Sequence, residues 1–296
     1  MGDLIVRIPV RQPFDWAGVI AWFRPRLIPG IEWSGHLGAA PAYARTLALS
    51  GGPGVIELSC GEADAAVQVR AQSTDPQDGA EAVAVAERLV DAAADPAVIE
   101  PALMQVPELV PAVLARPGVR VPGTASLPEM VLRAIVGQQV SVASAVQQLG
   151  RMAQLCPPLP EELADGELAL GRGLTRVFDP AVPAANQDWY RGPAARRASI
   201  AAGLAMVAEL PMKAGQPRDQ GDLRERLLTV RGIGPWTADY VALRCGHTDV
   251  VPPRDVALIR AARRIGLEGD LAELVSAARP WRSYAATHLW QLAAEG

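Results

Sequence analysis

The chain reads as an α+β protein: an N-terminal antiparallel β-sheet domain with helices, then a region built from helices alone. Three observations predict this. Short β-branched runs separated by glycine-rich turns are confined to the first 70 or so of 296 residues. From about residue 97 onward strand signals almost vanish and helical periodicity takes over. In the last third a Gly-Ile-Gly-Pro turn joins two helix-like runs. The expected division is residues 1–96 and 97–296.

Taken in order, Leu4 to Val10 is β-branched and roughly alternating, which predicts a strand. Asp15 is placed to cap a helix over Ala17 to Phe23. Further strands are expected at Tyr43 to Leu49, Val55 to Ser59 and Ala66 to Arg70, linked as a meander. Residues 72–79 form a polar loop, and Val83, Val85, Ala86, Leu89 and Val90 mark an amphipathic helix over 80–95.

The helical region begins with Leu109 to Leu114, which stops at Arg116-Pro117-Gly118. Leu127-Pro128 opens a helix running to Val136, with proline tolerated in its first turn. Gly137-Gln138-Gln139 interrupts, and Ser141 caps a helix to about Cys156. Pro157 to Asn186 is proline- and glycine-rich, an irregular insertion with one short helix. A helix over Arg196 to Leu210, a polar connector at 211–221, and helices at Leu271 to Ala278 and Trp281 to Leu292 complete the reading. No long repeat is present.

At 296 residues the chain can bury a sizeable core, and half of it is hydrophobic. Mean hydropathy is +0.13, with no apolar run near the ~20 residues a membrane span needs. The N-terminus lacks a signal-peptide pattern, so no membrane association and a cytoplasmic location are expected. Cys60, Cys156 and Cys245 are scattered, with neither metal spacing nor an even disulfide set. A net charge of −4 does not advertise a nucleic-acid binder. The sign is uneven, though: acidic residues gather between Asp75 and Asp95, while Arg254, Arg260, Arg263, Arg264, Arg279 and Arg282 cluster late. Lys213 is the only lysine.

The richest stretch runs from Leu227 to Arg264. Its hairpin, Arg231-Gly232-Ile233-Gly234-Pro235, carries two glycines that permit positive φ and close backbone approach. Pro235 suits the first position of the next helix, whose free N–H groups suit a phosphate oxygen. Asp255 follows twenty residues after Pro235, just past Pro252-Pro253. Alone, Asp255 reads as the N-cap of the helix that begins at Val256. With the hairpin at this spacing, a carboxylate acting on a nucleotide held by its DNA backbone becomes the sharper reading. The two roles can coexist.

These residues resemble the helix-hairpin-helix DNA glycosylases, and within them the bacterial 3-methyladenine DNA glycosylase II type. Five ordered stretches carry the resemblance: 13–16, 116–123, 133–142, 232–240 and 279–290. It implies that two all-helical lobes follow the β domain and flank a cleft. The middle lobe would span about 118–240, and the C-terminal lobe about 97–117 plus 241–296. The hairpin and Asp255 would face the cleft.

The same resemblance makes Asp255 the catalytic residue, which stabilises an oxocarbenium-like sugar while water attacks. Trp236, Tyr240 and Trp290 match base-pocket aromatics, although Tyr240 and Trp290 read equally well as core. Trp236 stands where relatives with lyase activity carry a Schiff-base lysine, which points to a monofunctional enzyme. Gln139 matches an intercalating residue and reads otherwise as a plain loop position; a relative has leucine there. Gly232, Gly234, Trp236 and Arg254 are the DNA-binding candidates. Arg254 departs from a pattern in which an acidic residue can precede the aspartate. Thr237 and Asp239 read as structural, and His36, His247 and His288 receive no catalytic role.

No cofactor is required on this reading. Hairpin carbonyls in the family can hold a monovalent cation, and the four-cysteine set for an iron–sulfur cluster is absent. The expected partner is double-stranded DNA containing damaged bases, bound by a monomer. Two alternatives stay open: a non-catalytic hairpin DNA-binding protein, and a glycosylase for deaminated or oxidised bases.

Overall fold

The computed structural model describes residues 2–61, 64–208, 210 and 220–294. The predicted connector up to residue 219, with Lys213, lies outside the described residues.

Five strands build one antiparallel sheet: β1 (Gly2–Pro9), β2 (Glu32–Leu37), β3 (Ala40–Leu49), β4 (Gly52–Ser59) and β5 (Ala66–Ser73), in the order β1-β5-β4-β3-β2. The strand β2 was not legible: Gly35 and His36 break the alternation, and the edge position leaves most of the strand half-exposed. Period-two alternation then sorts the side chains. Tyr43, Leu47, Ile56 and Leu58 face helices α1 (Trp16–Phe23) and α2 (Gly79–Val90). Ala44 and Val55 face the other way, onto Leu159, Leu163, Leu168 and Leu174. The proline- and glycine-rich insertion is therefore the cover of the sheet's second face. It carries two short helices, α7 (Glu161–Ala164) and α8 (Ala181–Ala185), where one was expected.

Asp15 caps α1 as predicted, accepting from the Gly18 amide at 2.8 Å. The helix α2 ends earlier than its apolar pattern suggested. Asp91 takes the left-handed conformation (φ 52°) and closes the helix. Its buried carboxyl accepts from the Val121 amide and the Tyr284 hydroxyl. A short helix α3 (Pro96–Leu103) went unread because two of its eight residues are proline. It packs with α4 (Val110–Ala115) against α12 (Val256–Arg264) and α14 (Arg282–Ala294), around Leu103, Leu109, Leu258 and Leu289.

A second helical core joins α5 (Leu127–Val136), α6 (Val142–Ala153), α9 (Ala194–Ala208), α10 (Gln220–Thr229) and α11 (Pro235–Arg244). Its heart is Met130, Leu132, Ile135, Met152 and Ile200, each contributing on the order of 1.5–3 kcal/mol by burial. The predicted helix over 271–278 is α13 (Leu271–Leu274) and a 3₁₀ turn at 276–278. Two of the stretches that carried the resemblance touch: Gly118, at φ 77°, lies against Pro13, where any Cβ would collide with the backbone. The Asp15 amide donates to the Gly118 carbonyl at 3.0 Å.

Charged residues buried between the sheet and α5 lock the two together. Arg45 on β3 forks onto Glu129 of α5. Arg133, one turn on, bonds both Glu129 and Glu32 of β2. The Tyr43 hydroxyl and the Ile28 amide complete the shell of Glu32. Burial alone would raise the Glu129 pKa, but the Arg45 and Arg133 guanidiniums outweigh it and hold the carboxyl at about 2. A depressed carboxyl contributes stability above its unfolded pKa and loses it as pH falls through the folded value. Urea unfolding should therefore show stability falling between about pH 4.5 and pH 2. Glu129→Gln should lose about 3–5 kcal/mol at pH 7, because it strands Arg45. An unaltered acid limb in that variant would remove Glu129 as its source.

Candidate functional site

Three aromatic side chains and one carboxylate meet in a cavity of about 1020 Å³ between the sheet domain and the two helical cores. Asp255 is the N-cap of α12, and its Oδ1 accepts from the Leu258 amide at 2.9 Å. Its carboxylate also receives two indole N–H groups: Trp236 donates to Oδ2 at 2.9 Å and Trp290 to Oδ1 at 3.3 Å. Three donors from three directions fix the orientation of a half-exposed carboxylate. Capping and presentation to the cavity are thus served by the same residue.

Trp236 and Tyr240, four apart on α11, stack with centroids 5.3 Å apart and planes at 10°. Trp290, from α14, meets Tyr240 edge-on at 5.9 Å. All three line the cavity and are half-buried, so wall and core are not exclusive roles here. The structure thus brings Asp255, Trp236, Tyr240 and Trp290 together, from three separate helices.

The hairpin places Gly234 as the N-cap of α11 with Pro235 as the first helical residue. No side chain caps this helix, which leaves its first amides for an anion. The two glycines serve different ends. Gly232 sits at φ 92° against Ser199, where a Cβ would lie 2.1 Å from the hydroxyl oxygen. Gly234 has ordinary φ and nothing within 4 Å of a Cβ; its bareness leaves the surface open.

Beside the hairpin the loop 137–141 carries Gln139, exposed at its tip with φ 59°. Gln138 ties this loop to the hairpin: its amide donates to the Gly232 carbonyl at 3.0 Å and to the Thr237 hydroxyl at 2.8 Å. Thr237 therefore bonds a residue 99 positions upstream rather than its own helix. Arg196 holds the loop from the other side, donating to the Gln138 carbonyl at 2.8 Å. Asp239 is buried and paired with Arg224, a structural role. Arg254 is exposed with φ 58° directly before Asp255. His288 is buried, and burial followed by the nearby Arg116 lowers its pKa to about 4. Among the described residues no group of three or more His, Cys, Asp or Glu could hold a metal ion, and no single helix is long and apolar enough to cross a membrane.

Sequence reasoning missed Trp22, Arg26, Gln138, Arg196 and Arg244. Trp22 and Arg26 come from α1 and the 3₁₀ turn after it, yet both line the cavity. Trp22 lies 5.4 Å from Trp290, and both Arg26 and Arg244 approach its ring. The only signal for Arg244 was its place eight residues after Trp236 on the same helix.

Comparison with known proteins bears on this arrangement. The family described as the AlkA N-terminal domain matches residues 5–126. The chain is 34% identical to the "Probable bifunctional transcriptional activator/DNA repair enzyme AlkA" of Mycobacterium tuberculosis, over 98% of this chain and 57% of that protein. It spans little more than half the length of that relative. It is 30% identical to DNA-3-methyladenine glycosylase 2 of Escherichia coli, over 95% of this chain and 94% of that one. The fold matches that of 3-methyladenine DNA-glycosylase from Archaeoglobus fulgidus with TM-score 0.77 and 15% identity, over 98% of each chain. An α+β chain aligned nearly end to end with the Escherichia coli protein at this identity belongs to the AlkA family, that of DNA-3-methyladenine glycosylase 2.

Proposed function

We propose that this chain is a monofunctional DNA N-glycosylase that removes alkylated bases, 3-methyladenine among them, from duplex DNA in base-excision repair. The observation that carries the reading is a carboxylate held by two indoles inside an aromatic cavity. The relatives' names, DNA-3-methyladenine glycosylase and AlkA, support it. The expected unit is a monomer with a β domain at 1–96 and the two lobes as divided above, a division consistent with the separate hydrophobic cores.

In this reading the target nucleotide leaves the stack and its base enters the cavity, at a cost of a few kcal/mol. Gln139, at the exposed loop tip, fills the gap left in the duplex. The α11 amides beginning near Gly232, Gly234 and Trp236 grip the backbone, with Arg254 adding charge. The C1′–N bond breaks and its electron pair leaves with the base. The Asp255 carboxylate stabilises the positive sugar, water adds to C1′, and a proton is released through Asp255 or solvent. Trp236 occupies the position at which a lysine would attack the sugar, so no Schiff base forms there. A cationic alkylated base gains about 0.5–2 kcal/mol from each well-placed aromatic face.

The monovalent cation that the resemblance implies would draw on hairpin carbonyls. Those of Arg231 and Gly232 already accept from Ser199 and Gln138, so a cation would share them. No step of the chemistry runs through it.

Asp255→Asn keeps the cap and the fold, and should slow single-turnover base release by about 100-fold or more while duplex binding persists. Near-normal release would sink the mechanism. Gln139→Ala should slow release from a fully paired duplex by about tenfold, and less for a lesion opposite a mismatch, where unstacking is cheaper. An equal penalty in both duplexes would assign Gln139 to the loop alone.

A further inference from the structure

Two guanidiniums stand in the same cavity as the aromatics. Arg26 lies with its guanidinium carbon 4.0 Å from the Trp22 ring centroid and donates to the Trp22 carbonyl at 2.8 Å. Arg244 lies 5.1 Å from the same ring and donates to the Gly123 carbonyl at 2.7 Å and to the Tyr240 hydroxyl at 3.4 Å. Tyr240 thus spans the site. Its ring packs on Trp236 and Trp290, the two indoles that hold Asp255, and its hydroxyl meets the guanidinium.

Among the described residues neither Arg26 nor Arg244 has a carboxylate partner within salt-bridge distance. The nearby Arg133 is balanced by Glu32 and Glu129. Holding a buried guanidinium, Arg244, beside a half-buried one, Arg26, without counterions is costly, and the Trp22 face offsets only part of it. Burial lowers the Arg26 pKa; Tyr240 acts against that shift and the neighbouring Arg244 adds to it. Burial would raise the Tyr240 pKa, yet Arg244 and Arg26 bring it below the ordinary phenol value. The Tyr240 shift reports positive potential beside its hydroxyl, from the two guanidiniums.

That potential discriminates between leaving groups. A base alkylated on a ring nitrogen is cationic in the DNA and leaves neutral. An unalkylated lesion is neutral in the DNA and leaves with the C1′–N electron pair as an anion, which later takes a proton from water. Fixed positive charge in a site of low dielectric stabilises the anion as it forms and disfavours the cationic base. It therefore opposes the cation–π attraction of the aromatic walls.

We infer that Arg26 and Arg244 are specificity-determining residues that set the balance between neutral and cationic bases, by stabilising a base that departs as an anion. The inference rests on the glycosylase reading above. Its substrate class is a neutral purine with a carbonyl acceptor for a guanidinium.

The test is single-turnover base release from two duplexes, one carrying hypoxanthine as the neutral base and one carrying 7-methylguanine as the cationic base. The wild-type chain should release both. In Arg26→Gln the ratio of hypoxanthine to 7-methylguanine release should fall by about tenfold or more, since one stabilising charge is lost from one transition state only. Arg26→Lys, which keeps the charge, should restore most of the ratio. A merely structural role for Arg26 would slow both reactions together and leave the ratio where it was, which overturns the inference while the glycosylase reading stands. Release of 7-methylguanine alone by the wild-type chain overturns it equally, and needs no variant that folds. Release of neither base overturns both readings.

Discussion

The pairwise cancellation of charge among Glu32, Arg45, Glu129 and Arg133 is the constraint on which the site is built. Two guanidiniums and two carboxylates are buried between sheet and helix, each with hydrogen bonds to the others. Such a cluster adds little net stability over apolar packing of the same shape. What it supplies is register. The helix α5 can dock on β2 and β3 in only one rotation and one height, because any other leaves a charge unpaired. Two parts of the site follow from that docking. The C-terminal end of α5 delivers the loop with Gln138 and Gln139, and Arg133 donates to the Arg26 carbonyl at 2.9 Å, which fixes the turn carrying Arg26.

From α5 the register passes to the hairpin. Gln138 reaches the Gly232 carbonyl and the Thr237 hydroxyl, so the loop tip and the start of α11 are one hydrogen-bonded unit. Ser199 packs under Gly232 and donates to the Arg231 carbonyl at 2.8 Å, which ties in α9. Trp236 then extends from the first turn of α11 to Asp255. Four elements distant in sequence are connected by side chain to backbone or indole to carboxylate bonds. Changing Gln138 would thus disturb both the loop and the hairpin.

Legibility in the sequence followed the range of the interaction. Caps are local, so Asp15, Ser141 and Asp255 could be read from their own neighbourhoods, and each accepts from an amide three residues on. The hairpin was legible for the same reason. The strand β2 was not, because an edge strand holding Gly35 has no clear alternation to show. The insertion 157–186 looked irregular because its leucines answer to the sheet's outer face rather than to a helix period. Arg26 and Arg244 were invisible as a pair. They lie 218 positions apart by number, and only the folded chain brings both onto Trp22.

That last pair changes the standing of the β domain. A sheet with two helices ahead of a helical region could be an accessory unit, joined by a buried interface and otherwise silent. Yet Trp22 and Arg26 belong to it, and they line the same cavity as Asp255. The aromatic wall is continuous from Trp236 through Tyr240 and Trp290 to Trp22. The helical lobes alone would leave Trp290 and Tyr240 with one side open to water, raising the local dielectric and weakening every charge interaction within. The β domain closes that side and brings a cation with it. Its contribution is then electrostatic as well as structural: it adds a guanidinium to the cavity that Asp255 and the aromatics share.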